Sequence, residues 1–186
     1  MKIAVGITGA TGVIYGIRLL EELRRHDVET HLILSEWAKK TVEIETDYSI
    51  KEIEGLAHCC YDNRNLCAAP ASGSFRVSGM VIVPCSMKTL SALTHGYAET
   101  LIVRTADVML KEKRRLILAP RETPLNPIHL ENMLKLSRLG VTIMPPMPAF
   151  YHRPGKIEDL IDHFLARVLD QLDIENNLVQ RWEGQE

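Results

Sequence analysis

No apolar run in this sequence approaches the ~18–20 residues that a membrane-spanning helix needs, and the opening residues MKIAVGI pass straight into a strand-like pattern without the layout of a secretory signal. A cytoplasmic protein with no membrane partner is therefore expected. An excess of charge of one sign is also lacking. The 22 Lys and Arg against 24 Asp and Glu leave a net charge of −2, so no global field draws in nucleic acid, and any anion must be held by a local site. Cysteine is scarce. Cys59, Cys60, Cys67 and Cys85 include an adjacent pair and show no Cys-x-x-Cys spacing for zinc, so they read as reduced thiols, with neither a disulfide framework nor a metal site expected. At 186 residues the chain suits a single domain and is short for a two-domain dehydrogenase.

Buried-strand runs are present at KIAVGI (2–7), THLIL (30–34), MVIVP (80–84), RLILAP (115–120) and VTIMP (141–145). Between them, segments such as 13–25 place Val13, Ile17 and Leu20 on one helical face. This alternation predicts right-handed crossovers and a doubly wound parallel sheet, an α/β domain of Rossmann-like or flavodoxin-like type spanning 1–186. Residues 46–79 break the rhythm and read as a loop excursion within the domain, punctuated by Pro70 and Gly73. A helix and tail are expected from about Lys156, with a wide apolar stripe over KIEDLIDHFLARVLDQL suited to sheet packing or a subunit interface.

In an open parallel sheet, ligands bind beyond the carboxyl ends of the strands. The residues there are Thr8, Gly9, Ala10, Thr11 and Gly12 after the first run, Ser35 after the second, Cys85 to Thr89 after the third, and Arg121, Glu122 and Thr123 after the fourth. The first loop, GITGATG, is Gly-x-x-Gly-x-x-Gly and not the dinucleotide fingerprint; Ser35 stands where a dinucleotide site wants an acid. Hydroxyls of Thr8, Ser35, Ser86 and Thr89 with backbone amides at a helix start suit a mononucleotide phosphate, which favours FMN over NAD. A tight strand-to-helix turn is the rival reading of Gly9 and Gly12, and helix capping that of Ser86.

Three further stretches could form a second anion site. RTADVMLKEKRR sets Arg104 and Lys111 seven residues apart on one helical face, with Asp107 between them as an ion-pair partner for either. PRETP places Arg121 beside Glu122 at a strand end, and PPMPAFYHRP carries Tyr151 and His152 in a proline-stiffened loop.

GITGATG, ETD (45–47), PASGSF (70–75), PCSMKTL (84–90), RTADVMLKE (104–112), PRETPL (120–125), IHLENML (128–134) and PAFYHRP (148–154) occur in this order, and together they resemble the bacterial flavin prenyltransferase (UbiX) family, itself related to flavin-containing cysteine decarboxylases. The resemblance implies transfer of a dimethylallyl group from dimethylallyl monophosphate to reduced FMN, without metal, giving prenylated FMN for a UbiD-type decarboxylase in ubiquinone synthesis or aromatic acid decarboxylation. It also implies a homododecamer with sites at subunit junctions. By position, Gly9, Ala10, Thr11, Ser35, Ser86, Met87, Lys88, Thr89 and Arg121 match FMN-binding segments. Lys111, Arg121, Tyr151 and Arg167 match the cluster around the substrate phosphate, with Arg104 in the same block; Glu45 and Glu122 match proton-handling acids. Thr11 stands where many relatives have serine, and Leu66 where some have tryptophan. An FMN-dependent decarboxylase of a cysteinyl substrate and a non-catalytic flavin carrier are the alternatives; the former wants a histidine in the first helix, and VIYGIRLLEELRR has none.

Overall fold

A computed structural model describes residues 1–182 and 184. It contains six strands: β1 (Lys2–Ile7), β2 (Glu29–Leu34), β3 (Cys59–Asp62), β4 (Gly79–Cys85), β5 (Arg115–Pro120) and β6 (Thr142–Ile143). The helices are α1 (Val13–Arg25), α2 (Glu36–Glu45), α3 (Ile50–Leu56), α4 (Met87–Thr94), α5 (Leu101–Lys111), α6 (Pro127–Arg138) and α7 (Ile157–Gln171), with a single 3-10 turn at Ala69–Ala71. All strand pairs are parallel, in the order β3-β2-β1-β4-β5-β6. The doubly wound sheet expected from the alternation is therefore present. The strand order reverses between β1 and β4, which is where such a sheet opens a crevice.

The chain divides into two compact units, Met1–Pro145 and Pro146–Glu186. The first holds the whole sheet. Its inner strands are apolar on both faces, as a doubly covered parallel sheet requires: Ile3, Val5 and Ile7 alternate with Ala4 along β1, and Met80 to Val83 are fully buried in β4. One face carries a cluster of Ala4, Ile33, Met80 and Ile82 with Leu90, Leu101, Val108 and Met109 from α4 and α5. Burying each such side chain contributes about 1.5–3 kcal/mol. Helix α1 lies close over the strands at Gly16, where a Cβ would come within 2.6 Å of the Val83 carbonyl oxygen.

Two expectations change. The stretch 46–79 is not a bare loop: it supplies α3, capped by a reciprocal Ser49–Glu52 box, and the edge strand β3. β3 reads CCYD and is largely exposed, so an edge position leaves it without the apolar run that marks the inner strands. The sixth strand is two residues long, not five.

In the second unit, α7 starts where Gly155 and Lys156 donate backbone hydrogens to Asp159 Oδ2 at 2.8 and 3.2 Å. The tail after α7 is tied back to it. Asn176 Nδ2 donates to the Ala166 carbonyl at 3.3 Å, and Arg181 pairs with Asp170 through both carboxylate oxygens at 2.8 and 3.2 Å.

Candidate functional site

The loops after β1 and β4 are joined by one side chain. Thr8 is 2% exposed; its hydroxyl donates to the Pro84 carbonyl at 2.9 Å and accepts from the Ser86 amide at 2.8 Å. That bridge fixes the mouth of the switch-point crevice. Ser86 then caps α4, accepting from the Thr89 amide at 3.3 Å, with the Ser86 and Thr89 hydroxyls 3.1 Å apart. The eight-residue α4 thus presents its positive N-terminal end to the crevice.

A cavity of about 200 Å³ occupies this place. Thr8, Gly9, Ser35, Ser86, Lys88 and Thr89 form its polar wall, as the strand-end argument expects. Ser35 is also the cap of α2, accepting from the Ala38 amide at 3.0 Å. Gly9 is there because nothing larger fits: a Cβ would lie 2.3 Å from Trp37 Cβ. Gly12 meets the other demand, a left-handed turn at φ 93° before α1.

The opposite wall was not legible beforehand. It consists of Trp37, Asn63, Ala92, Tyr97, Glu99, Thr100, Ile102 and Val103. Asn63 anchors the start of α5, its carbonyl accepting from the Leu101 amide at 2.7 Å and its side chain from the Ile102 amide at 3.0 Å. Trp37, Ala92, Ile102 and Val103 come from faces of α2, α4 and α5, Tyr97, Glu99 and Thr100 from the α4–α5 connection, and Asn63 from the exit of β3. The only signal for them in the sequence is the exposed aromatic character of Trp37 and Tyr97. Hydroxyls, a lysine and a helix terminus at one end, with apolar and aromatic walls at the other, form a donor set that fits a phosphorylated flavin mononucleotide.

The remaining residues singled out in the sequence are more dispersed. Ala10, Thr11, Met87 and Arg121 do not line the cavity; Thr11 and Arg121 are exposed beside it. Glu45, the last residue of α2, reaches the start of α1, where its Oε2 accepts from the amides of Gly12 and Val13 at 2.8 and 3.2 Å. The start of α1 is therefore satisfied by this chain's own carboxylate, and the helix starts that face the crevice are those whose caps line it, α2 at Ser35, α4 at Ser86 and α5 at Thr100. Glu122 is exposed in the turn after β5, with its Oε1 accepting from the Thr123 amide at 3.0 Å. Leu66 is exposed on the loop after β3.

Arg104 is engaged structurally, pairing with Asp107 at 2.7 Å and donating to the Ala71 carbonyl at 3.1 Å. Lys111 does not pair with Asp107 as its spacing allows; it pairs with Glu112. Its location matters more. α5 ends at Lys111 and is joined by residues 112–114 to Arg115 at the start of β5, whereas the crevice lies where β5 ends beside Cys85. A six-residue strand at ~3.3 Å per residue separates the two edges by about 20 Å, so Lys111 is at the wrong end of the sheet to serve its own crevice.

Tyr151 and Arg167 belong to the second unit. There they share a cavity of about 220 Å³ with His163, Asp170 and the tail residues Arg181 and Trp182. Tyr151 Oη is 2.6 Å from His163 Nε2. Cys85 is buried, and burial pushes its thiol up to about 12, so it is no nucleophile.

Residues 1–179 match the family described as Flavoprotein. A probable UbiX-like flavin prenyltransferase of Streptomyces sp. (strain D7) is 55% identical, covering 99% of this chain and 92% of its own. Among solved structures, AnUbiX (PadA1) in complex with FMN and dimethylallyl pyrophosphate superposes with a TM-score of 0.98 at 52% identity, over 100% of this chain and 98% of that one. A dodecameric FMN-dependent UbiX-like decarboxylase from Escherichia coli O157:H7 gives 0.97 at 52% identity, over 99% and 100%.

Proposed function

The chain belongs to the UbiX-like flavin prenyltransferases within the flavoproteins, and from that premise we propose the following division of labour for its residues. The protein is a transferase that joins a dimethylallyl group to reduced FMN. FMN binds in the switch-point crevice, its phosphate at the N-terminus of α4 among Ser35, Ser86, Lys88 and Thr89, with Gly9, Ala10, Thr11 and Met87 shaping the rim. The observation that carries this is the Thr8 bridge, which sets the Ser86 and Thr89 hydroxyls and the α4 terminus at one cavity wall. Reduced FMN supplies an electron-rich ring as the prenyl acceptor.

The prenyl donor is dimethylallyl monophosphate. Breaking its allylic carbon–oxygen bond adds negative charge to the departing phosphate, so cations and hydroxyls aimed there lower the barrier. Arg121, Arg104, Lys111, Arg167 and Tyr151 have the right chemistry, and Glu122 and Glu45 can move protons at the leaving group and the ring. Because Lys111 ends α5 eight residues beyond Val103 on the crevice wall, about 12 Å along the helix, the phosphate site is completed by Lys111 of a neighbouring copy. The dodecameric relative supports such an arrangement. The remainder of the proposal is a single functional domain over 1–186, delivery of prenylated FMN to a UbiD-type decarboxylase, and a cytoplasmic setting that suits four free cysteines.

The test is anaerobic incubation with reduced FMN and dimethylallyl monophosphate, followed by mass analysis of the extracted flavin. A flavin heavier by one dimethylallyl unit is expected. Unmodified FMN would leave only a flavin carrier or a decarboxylase. In Glu122→Gln, FMN binding is expected to persist while transfer slows, and unchanged turnover would remove Glu122 from the chemistry.

A further inference from the structure

The side chain of Asn63 is only half engaged. Its main-chain carbonyl accepts from the Leu101 amide at 2.7 Å, and its Oδ1 accepts from the Ile102 amide at 3.0 Å. A backbone N–H can only donate, so the atom facing Ile102 is the oxygen, and that settles which end of the planar amide is which. Among the described residues the Nδ2 group has no partner. Asn63 is half-buried and lines the crevice cavity, so its free end is a donor on that wall.

The neighbouring residues supply the opposite character. Its bonds to Leu101 and Ile102 hold Asn63 against the start of α5, which places Glu99 and the cap residue Thr100 beside it. Glu99 is the one acid among the described residues that line the cavity, and a carboxylate only accepts. Tyr97 steadies it: the phenol donates to the Glu99 carboxylate, which raises the phenol above its ordinary range. Thr100 is committed to capping, accepting from the Val103 amide at 3.5 Å. Like charges repel, so the wall that carries Glu99 takes a part of the ligand other than the phosphate placed among Ser35, Ser86, Lys88 and Thr89. A free donor beside an acceptor matches a ring that carries an N–H next to a carbonyl. In FMN that pattern is the pyrimidine edge, where N3–H lies between two carbonyls.

We propose that Asn63 and Glu99 read the pyrimidine edge of the flavin: Asn63 Nδ2 donates to a ring carbonyl, and the Glu99 carboxylate accepts from N3–H. No proton is transferred. N3–H and its flanking carbonyls are present in both oxidised and reduced flavin, so the contact holds the ring in either state. The other end of the same amide plane holds the first turn of α5, which ties the ring to the helix that brings Ile102 and Val103 to the cavity. The proposal rests on the reading of this crevice as the FMN site.

The experiment compares oxidised FMN with N3-methyl-FMN by fluorescence titration, and follows the ring carbonyl stretches of 13C-labelled FMN by infrared difference spectra. The wild type is expected to bind N3-methyl-FMN about thirtyfold more weakly than FMN or worse, and in Glu99→Ala that difference is expected to shrink to within about threefold. Asn63→Asp keeps an oxygen for the Ile102 amide but loses the Nδ2 hydrogens. It is expected to unfold in urea as the wild type does, to bind FMN about tenfold more weakly or worse, and to move the carbonyl band to higher frequency. Equal wild-type affinity for FMN and N3-methyl-FMN, or an Asn63→Asp chain that matches the wild type in FMN affinity and carbonyl band, overturns the proposal. Lys88→Ala separates this from the reading of the site. Weakened FMN binding in that variant, with N3-methyl-FMN bound normally by the wild type, removes the edge contact alone, whereas FMN affinity indifferent to Lys88, Asn63 and Glu99 removes the crevice as the flavin site as well.

Discussion

The carboxylate of Glu45, at the end of α2, accepts from the backbone amide of Gly12 at 2.8 Å and so caps a helix 33 residues earlier in the chain. One side chain thus has a structural task and a chemical one, and the two respond differently to substitution. Glu45→Ala removes the cap and the charge at the helix terminus, with an expected loss of about 1 kcal/mol in urea unfolding. Glu45→Gln keeps an acceptor oxygen and is expected to lose only a few tenths of that. If Glu45 also takes the ring proton, both variants slow prenyl transfer alike, and the glutamine variant does so with near-normal stability.

The Thr8 bridge makes a sharper prediction. Thr8→Val keeps the volume but leaves the Ser86 amide without its acceptor, at a cost of about 1–3 kcal/mol and with weakened FMN binding. Thr8→Ser keeps the hydroxyl and is expected to retain most of the affinity. Fluorescence titration with FMN separates the two; equal losses would show that the methyl, not the hydroxyl, organises the crevice.

Lys111 is exposed, and its ion pair with Glu112 contributes little to stability. Lys111→Ala is therefore expected to unfold within about 0.5 kcal/mol of the wild type. Its effect falls on the prenyl donor: the KM for dimethylallyl monophosphate rises at least tenfold, while FMN affinity stays near normal. A comparable loss for both substrates would make the residue structural.

His31 gives a pH dependence whose sign follows from its environment. Burial lowers its affinity for protons, although Glu29 at 3.2 Å works the other way; Tyr61 Oη lies 2.9 Å from its other nitrogen. The unfolded chain therefore binds a proton there first, at about pH 6.5, and stability falls as pH drops from that value toward the lower folded one. The melting temperature is expected to decline between about pH 7.5 and 5.5. His31→Gln should flatten part of the slope, the remainder belonging to His163, which is shifted in the same direction.

The inner sheet was legible because burial on both faces forces long apolar runs: 2–7 and 115–120 are the observed β1 and β5 to the residue. β3 was hidden because an edge strand paired on one side needs no such run, and CCYD carries none. For the crevice, strand-end position identified Gly9, Ser35, Ser86, Lys88 and Thr89, since the topology alone brings those loops together. Trp37, Asn63 and Tyr97 escaped because they come from a helix face and connections whose course is set by packing. Spacing also misled at Lys111, where helical periodicity aligned it with Arg104 but said nothing about which edge of the sheet it would reach.

That location of Lys111, remote from the crevice of its own chain, has a genetic corollary. If a neighbouring copy's Lys111 completes the phosphate site as proposed, co-expressing a chain defective in the Thr8–Ser86 crevice with one defective only at Lys111 should restore some turnover, because mixed assemblies would contain junctions where an intact pocket meets an intact lysine. Neither defect complements itself, and dilution that separates the copies should silence even the unmutated enzyme while its flavin stays bound.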